Sequence, residues 1–235
     1  MSANTTTFEK AIQAARKIVF LTGAGVSVPS GIPDYRSKGG LYSGVRQPEY
    51  LLSEQCLKRE PDMFYEFVKN NLYYPDAMPN VIHQKMAEIE QLTDKTVTII
   101  TQNIDGLHEK AGSKQVVNFH GSLYDCYCQK CGQNIPSDVY LQSDRHENCG
   151  GIIRPAVVLY GEAIDQRVIE ASLAAVSAAD LLVIVGTSFQ VSPFCNLIDY
   201  RQSDAQIVAI NREPLALQVP FTMLTADAAV VFAEL

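Results

Sequence analysis

Four side chains able to bind a soft divalent metal occur in this chain as two matched halves, Cys128-Gln-Lys-Cys131-Gly and His146-Glu-Asn-Cys149-Gly. Two ligands spaced by two residues can hold one ion from a tight turn, and the glycine that follows each half eases the backbone. A neutral imidazole is a competent zinc ligand, so Cys128, Cys131, His146 and Cys149 make a complete Cys₃His set. Four protein ligands leave zinc no open position, which makes its role structural. Cys126 sits two residues before Cys128 and could replace one ligand; the sequence leaves that choice open. Cys56 and Cys195 lie outside the cluster and read as small buried hydrophobes.

A second group of residues could handle a phosphate-bearing ligand. The apolar run Ile18 to Leu21 breaks into Gly23-Ala24-Gly25, as a buried parallel strand does when it hands over to a loop that approaches phosphate. Taken alone, such glycines are a weak signal. Pro29 and Pro33 discourage a regular helix beyond them, and Asp34-Tyr35-Arg36 follow in a stiffened loop. Thr101-Gln-Asn-Ile-Asp-Gly-Leu-His108 is polar and follows the β-branched run Val97 to Ile100, so it lies at the carboxyl end of a strand, where open α/β sheets bind ligands. His120-Gly-Ser ends another short run, Val116 to Phe119. By position alone His120 caps a strand end, His83 packs or caps on an amphipathic helix, and His108 is structural.

These groups need elements to hold them. Thr5 to Thr7 offer an N-cap to a first helix with Phe8, Ile12 and Ala15 at helical spacing. A helix begins at Pro79-Asn80, with Ile82, Met86 and Ile89 on one face. Besides 18–21, 97–100 and 116–119, short apolar runs at 179–185, 206–210 and 228–232 read as strands. Two of them end in Gly186-Thr-Ser188 and Asn211-Arg-Glu213. Strands alternating with helical stretches predict an α/β fold, a parallel sheet covered on both faces. Residues 37–75 read as a helical insertion beside the glycine loop, and 123–153 as the cysteine-bearing insert.

With 235 residues the chain can bury a full core as one domain, or as one large domain with a small satellite. A formal net charge of −7 argues against nucleic acid as a direct partner. No stretch approaches the ~20 apolar residues of a membrane span. The amino-terminal residues lack a secretory pattern, so a cytoplasmic location with reduced cysteines is expected. The oligomeric state is not legible, and a monomer is compatible with the sequence.

Assembled, the motifs resemble a sirtuin, a bacterial-type NAD-dependent protein lysine deacylase. The matching residues are Gly23-Ala-Gly-Val-Ser27, Gly31-Ile-Pro-Asp-Tyr-Arg36, Thr101-Gln-Asn-Ile-Asp105, His120-Gly-Ser, Arg154-Pro-Ala-Val-Val-Leu-Tyr-Gly-Glu162, Gly186-Thr-Ser188 and Asn211. They stand in family order across nearly the whole chain. Tyr35 replaces a usual Phe, and His146 stands where a zinc cysteine is usual.

The resemblance implies a Rossmann-like NAD-binding domain (1–36, 76–122 and 154–235), with the helical and zinc-ribbon insertions between its parts. It implies NAD as co-substrate, its pyrophosphate on Gly23, Ala24 and Gly25, and its adenosine half near Gly186, Thr187, Ser188, Asn211, Arg212 and Ala228. Val28, Asp34, Tyr35 and Arg36 would border the cofactor. Asp105 would meet the nicotinamide carboxamide near Val26, with Gln102, Asn103 and Ile104 beside the ribose. His120 and Asn103 are the implied catalytic residues. The acylated lysine of a protein substrate would enter near Phe119, Val157 and Val158, its backbone pairing with Tyr160-Gly161-Glu162 and with the segment around Val191. Its carbonyl oxygen would attack the ribose carbon as nicotinamide leaves. His120 would then act as general base on a ribose hydroxyl, giving free lysine and O-acyl-ADP-ribose.

Family members that remove acidic acyl groups carry Tyr-x-x-Arg in the helical insertion; here Tyr65-Glu-Phe-Val68 places valine at the arginine position. Acetyl or longer apolar groups are therefore expected over succinyl, with Lys69 a substitute cation to be weighed. Two rival readings use the same residues: a protein ADP-ribosyltransferase and a non-catalytic NAD-sensing module.

Overall fold

Why these residues form a two-faced sheet is visible in the alternation along its central strand. The computed structural model describes residues 3–35, 37, 39–43 and 47–235. In β1 (Lys17–Thr22), Ile18 and Phe20 face one core while Val19 and Leu21 face another. The other strands of this sheet are β2 (Thr96–Thr101), β3 (Val116–Asn118), β7 (Leu181–Val185), β8 (Gln206–Asn211) and β9 (Thr222–Thr225), in the order β3-β2-β1-β7-β8-β9. All pairings are parallel.

One face is covered by α1 (Ala3–Ala14), α5 (Val81–Glu90) and α9 (Ala228–Ala233), through Phe8, Ile12, Ile82, Met86, Val231 and Phe232. On the other lie α8 (Gln166–Ala178) and a 3-10 turn at Phe194–Tyr200, through Val176, Phe194 and Leu197. Each large apolar side chain removed from water contributes roughly 1.5–3 kcal/mol, so burial on both faces explains the near-continuous apolar strands.

The inserted segments share a third core. Helices α2 (Pro48–Leu51), α3 (Glu54–Arg59) and α4 (Pro61–Asn71) pack Leu52, Phe64 and Val68 against Leu123, Cys126, Tyr140 and Ile153 of the ribbon. The ribbon is an antiparallel sheet, β5-β4-β6, built from β4 (Gly121–Cys128), β5 (Asn134–Pro136) and β6 (Ile153–Val157), with α7 (Ser137–Gln142) beside it. A last short helix, α6 (Leu107–Lys110), follows the polar end of β2.

The strand expected at 228–232 is a correction. Ala228-Ala-Val-Val-Phe232 lies in α9, which starts because the Asp227 carboxylate accepts the Ala229 amide at 2.8 Å. The sixth strand is β9, whose apolar content is Met223 and Leu224. Five apolar residues fit a buried strand or the first turns of a buried helix equally well, and the cap decides.

Candidate active site

The carboxyl ends of β1, β2, β7 and β8 open into a cleft of about 1320 Å³. Its wall on the β1 side is a tight turn, Ala24–Val26, rather than a helix. The Gly25 amide donates to the Gly186 carbonyl at 2.8 Å. A Cβ on Gly25 would stand 2.7 Å from that oxygen, and one on Gly186, where φ is +61°, would stand 2.6 Å from the Val26 nitrogen. Glycine is required at both because two backbones touch, which leaves the Ala24 and Gly25 main chain bordering the cleft.

Gly23 differs from its expected place. It is absent from the cleft lining, and a Cβ there would meet Thr187 at 2.7 Å. The neighbouring Thr187 hydroxyl donates to Gln102 Oε1 at 2.9 Å, so the three loops are tied together behind the surface. Val28, Asp34, Tyr35, Gln102, Asn103 and Ile104 line the cleft, as do Gly186, Thr187, Ser188, Asn211, Arg212 and Ala228. Arg36 lies outside the described residues.

On the opposite side the cleft is lined by His120, Val157, Val158, Tyr160, Gly161, Glu162 and Val191. Phe119 departs from its expected place at the entrance. It is fully buried behind the cleft, its ring 5.5 Å from His120 and 5.2 Å from Phe194. Residues 119 and 120 form the turn after β3, where Phe119 joins the core with Phe194 and Phe189 while His120 borders the cleft. Phe119 backs the imidazole rather than lining the route to it.

His120 Nδ1 lies 3.2 Å from the Gln102 carbonyl oxygen. A carbonyl accepts only, so Nδ1 carries the proton and Nε2 holds the lone pair. Burial pushes the imidazole below its ordinary value, with the carbonyl bond opposing that shift. The ring is therefore neutral near pH 7, with a bare nitrogen: the state of a general base.

Asp105 occupies a side recess next to the main cleft, shared with Ala24, Ser27, Ile32 and Asn103. The Ser27 hydroxyl donates to Asp105 Oδ2 at 2.7 Å, and the Leu107 amide to Oδ1 at 2.9 Å. Burial raises the Asp105 carboxyl above the usual range, while these two bonds favour its charged form. Asn103 Nδ2 donates to the same serine oxygen at 3.0 Å. His83, fully buried, stands 3.5 Å from it through Nε2, while its Nδ1 accepts the Asn80 amide in a capping box. Desolvation holds His83 at about 4, so it is neutral and structural. Sequence reading gave Ser27 no role, because its partners lie 56 to 78 positions away. Asp227 was missed too: it lines the cleft and pairs with Arg212 at 2.7 Å, and an Asp before an apolar helix is its only sequence cue.

The metal-binding set is assembled. Ligand atoms of Cys128, Cys131, His146 and Cys149 all lie within 4.8 Å of one another. The cradle fits an ion: a Cβ on Gly151 would strike Cys128 Sγ at 2.6 Å. Cys126 is not in the set; its buried thiol turns the other way, 3.5 Å from the Leu123 carbonyl and 3.6 Å from the Tyr73 hydroxyl. Zinc held by these four residues would brace the ribbon.

The sequence matches the family model described as Sir2 family over residues 23–193. It is 66% identical over 227 residues to a Listeria innocua protein named NAD-dependent protein deacetylase, covering 97% of this chain and 98% of that one. An Enterococcus faecalis protein of the same name is 60% identical, with 94% and 92% covered. A solved structure described as Sir2, p53 peptide and NAD+ superposes with a TM-score of 0.86 at 29% identity, covering 100% of this chain and 97% of that one. A two-faced parallel sheet, a braced ribbon and a cleft between them agree with these likenesses: the chain belongs to the Sir2, or sirtuin, family.

Proposed function

We infer that this protein is an NAD-dependent protein deacetylase, removing the acetyl group from lysine side chains and passing it to ADP-ribose. The observation that carries the reading is the paired geometry of one cleft: a bare His120 Nε2 on one wall and a nucleotide-sized floor of loop backbone on the other. NAD supplies the activated ribose when it binds; the chain supplies binding, orientation and a proton acceptor.

In this reading Ala24 and Gly25 present backbone to the pyrophosphate, and Ser188, Asn211 and Arg212 border the adenosine half. Asp105, held at both oxygens, receives the carboxamide of nicotinamide in its recess. Gln102 and Asn103 orient the ribose. The acyl-lysine side chain passes between Val157, Val158 and the described part of the helical insertion, so its acyl oxygen meets the ribose carbon as nicotinamide departs. His120 would then take the proton of a ribose hydroxyl at Nε2, so that this oxygen bonds to the acyl carbon, the acyl–nitrogen bond breaks to free lysine and water supplies the remaining oxygen; Phe119 and the Gln102 carbonyl keep the ring in place. Acetylated lysines of proteins are the substrates, and the relatives named deacetylase at 60–66% identity support that choice.

The test is incubation with NAD and an acetyl-lysine peptide, followed by mass analysis. Free lysine peptide, nicotinamide and O-acetyl-ADP-ribose are expected together. ADP-ribose on a protein acceptor, with the acetyl group retained, would favour transferase activity instead.

A further inference from the structure

Glu162 lines the cleft, yet its carboxylate is committed inward. Arg154 Nη1 donates to Glu162 Oε1 and Nη2 to Oε2, the latter at 3.0 Å. Nη2 also donates to the Val157 carbonyl at 2.7 Å, and Nε to Pro155 at 3.2 Å. The Leu159 amide donates to Glu162 Oε2 at 3.0 Å. Arg154 is 4% exposed, and Glu162 supplies the counter-charge that a buried guanidinium requires beyond its two carbonyl acceptors. Burial alone would raise the Glu162 carboxyl, but the guanidinium and the Leu159 amide more than offset it.

The pair joins two structures. Arg154 sits on β6 opposite Tyr127 of β4, one position from the Ile153–Cys128 pair, and so next to the metal-binding knuckle. Glu162 closes the segment 157–162, which faces the cleft through Val157, Val158, Tyr160 and Gly161. Elsewhere the Val158 amide donates to the His120 carbonyl and the Tyr160 amide to Leu52, and the Tyr160 hydroxyl lies 3.4 Å from that of Tyr42. The pair thus adds a charged side-chain tie at the segment's far end.

We propose that Arg154 and Glu162 are positioning residues that hold segment 157–162 in the form that receives the acyl-lysine peptide, so that the ribbon sets peptide affinity without setting NAD affinity. This rests on the deacetylase reading, because only an acyl-peptide substrate gives the segment something to bind.

The experiment is steady-state kinetics on the full zinc-loaded chain, varying acetyl-lysine peptide and NAD separately, for wild type, Glu162→Gln and Glu162→Ala. Glu162→Ala should raise the peptide KM about tenfold, equivalent to ~1.4 kcal/mol, while the NAD KM changes by less than about twofold. Glu162→Gln keeps an acceptor oxygen for the fork and should recover part of that loss. If the alanine variant does not fold, the glutamine variant carries the test alone, with a peptide KM raised severalfold. A peptide KM equal to wild type in Glu162→Gln, or equal rises in both KM values, overturns the proposal while the deacetylase reading stands. A wild type that consumes no acetyl-peptide overturns both.

Discussion

The Gln102 carbonyl oxygen receives the Nδ1–H of His120 at 3.2 Å, which leaves Nε2 as the ring's sole lone pair. Backbone geometry thereby sets the tautomer, and the residue that sets it belongs to the polar end of β2 that also lines the cleft.

His120→Ala should lower kcat at least a hundredfold with an unchanged melting temperature, since a general base contributes about 10² to 10⁴ in rate. The base works when neutral, so activity rises with pH through its titration. Burial lowers that titration, and the acid limb of kcat/KM should fall below the ordinary imidazole value of 6.5. A limb above that value, or a few per cent of activity left in His120→Ala, would contradict the assignment.

Ser27→Ala removes the proton that Asp105 Oδ2 accepts and the oxygen that Asn103 donates to. A hydrogen bond to a charged group is worth roughly 1.5–3 kcal/mol, so the NAD KM should rise about tenfold or more. The peptide KM should hardly move. Inhibition by nicotinamide should weaken in parallel, and competition assays with the free base read this directly.

One zinc per chain is expected by metal analysis, falling well below one in His146→Ala. Cys126→Ser should keep its zinc, because that thiol points toward Leu123 and Tyr73. Chelation should unfold the ribbon and abolish peptide turnover. A wild type that is metal-free yet folded and active would remove zinc from the account.

Much of this was legible in sequence, for identifiable reasons. The runs at 18–21, 97–100, 181–185 and 207–210 are largely buried on both faces, and their apolar continuity announces them. The metal-binding set was legible because its spacing is local. Long-range choices were not. Whether 228–232 formed strand or helix depended on the Asp227 cap, and β9 carries too few apolar residues to stand out. Phe119 and Gly23 both border the right loops, but which way each faces follows from packing that sequence order does not record. The links from Ser27 to His83 and Asp105 span three separate elements.

The acyl group should be acetyl or apolar. Val68 is fully buried, and the described part of the insertion lines the cleft with Ser37, Gly39, Gly40, Tyr42, Leu52 and Leu72, none of them charged. Lys69 stacks its ammonium 5.3 Å over the Tyr65 ring. Among the described residues of the lining, Arg212 is the sole cation, and Asp227 pairs it. Turnover of an acetyl-lysine peptide should exceed that of its succinyl counterpart by at least about tenfold, in line with an unmatched charge–fork pair of 1.5–3 kcal/mol. Faster succinyl removal would reverse the assignment.

The most direct measurement is a crystal structure of the chain with NAD and an acetyl-lysine peptide. His120 Nε2 should lie within about 3.2 Å of a ribose hydroxyl, with the acetyl oxygen facing the ribose carbon. A ribose bound out of reach of His120, or an acetyl group on the far side of segment 157–162, would contradict that expectation.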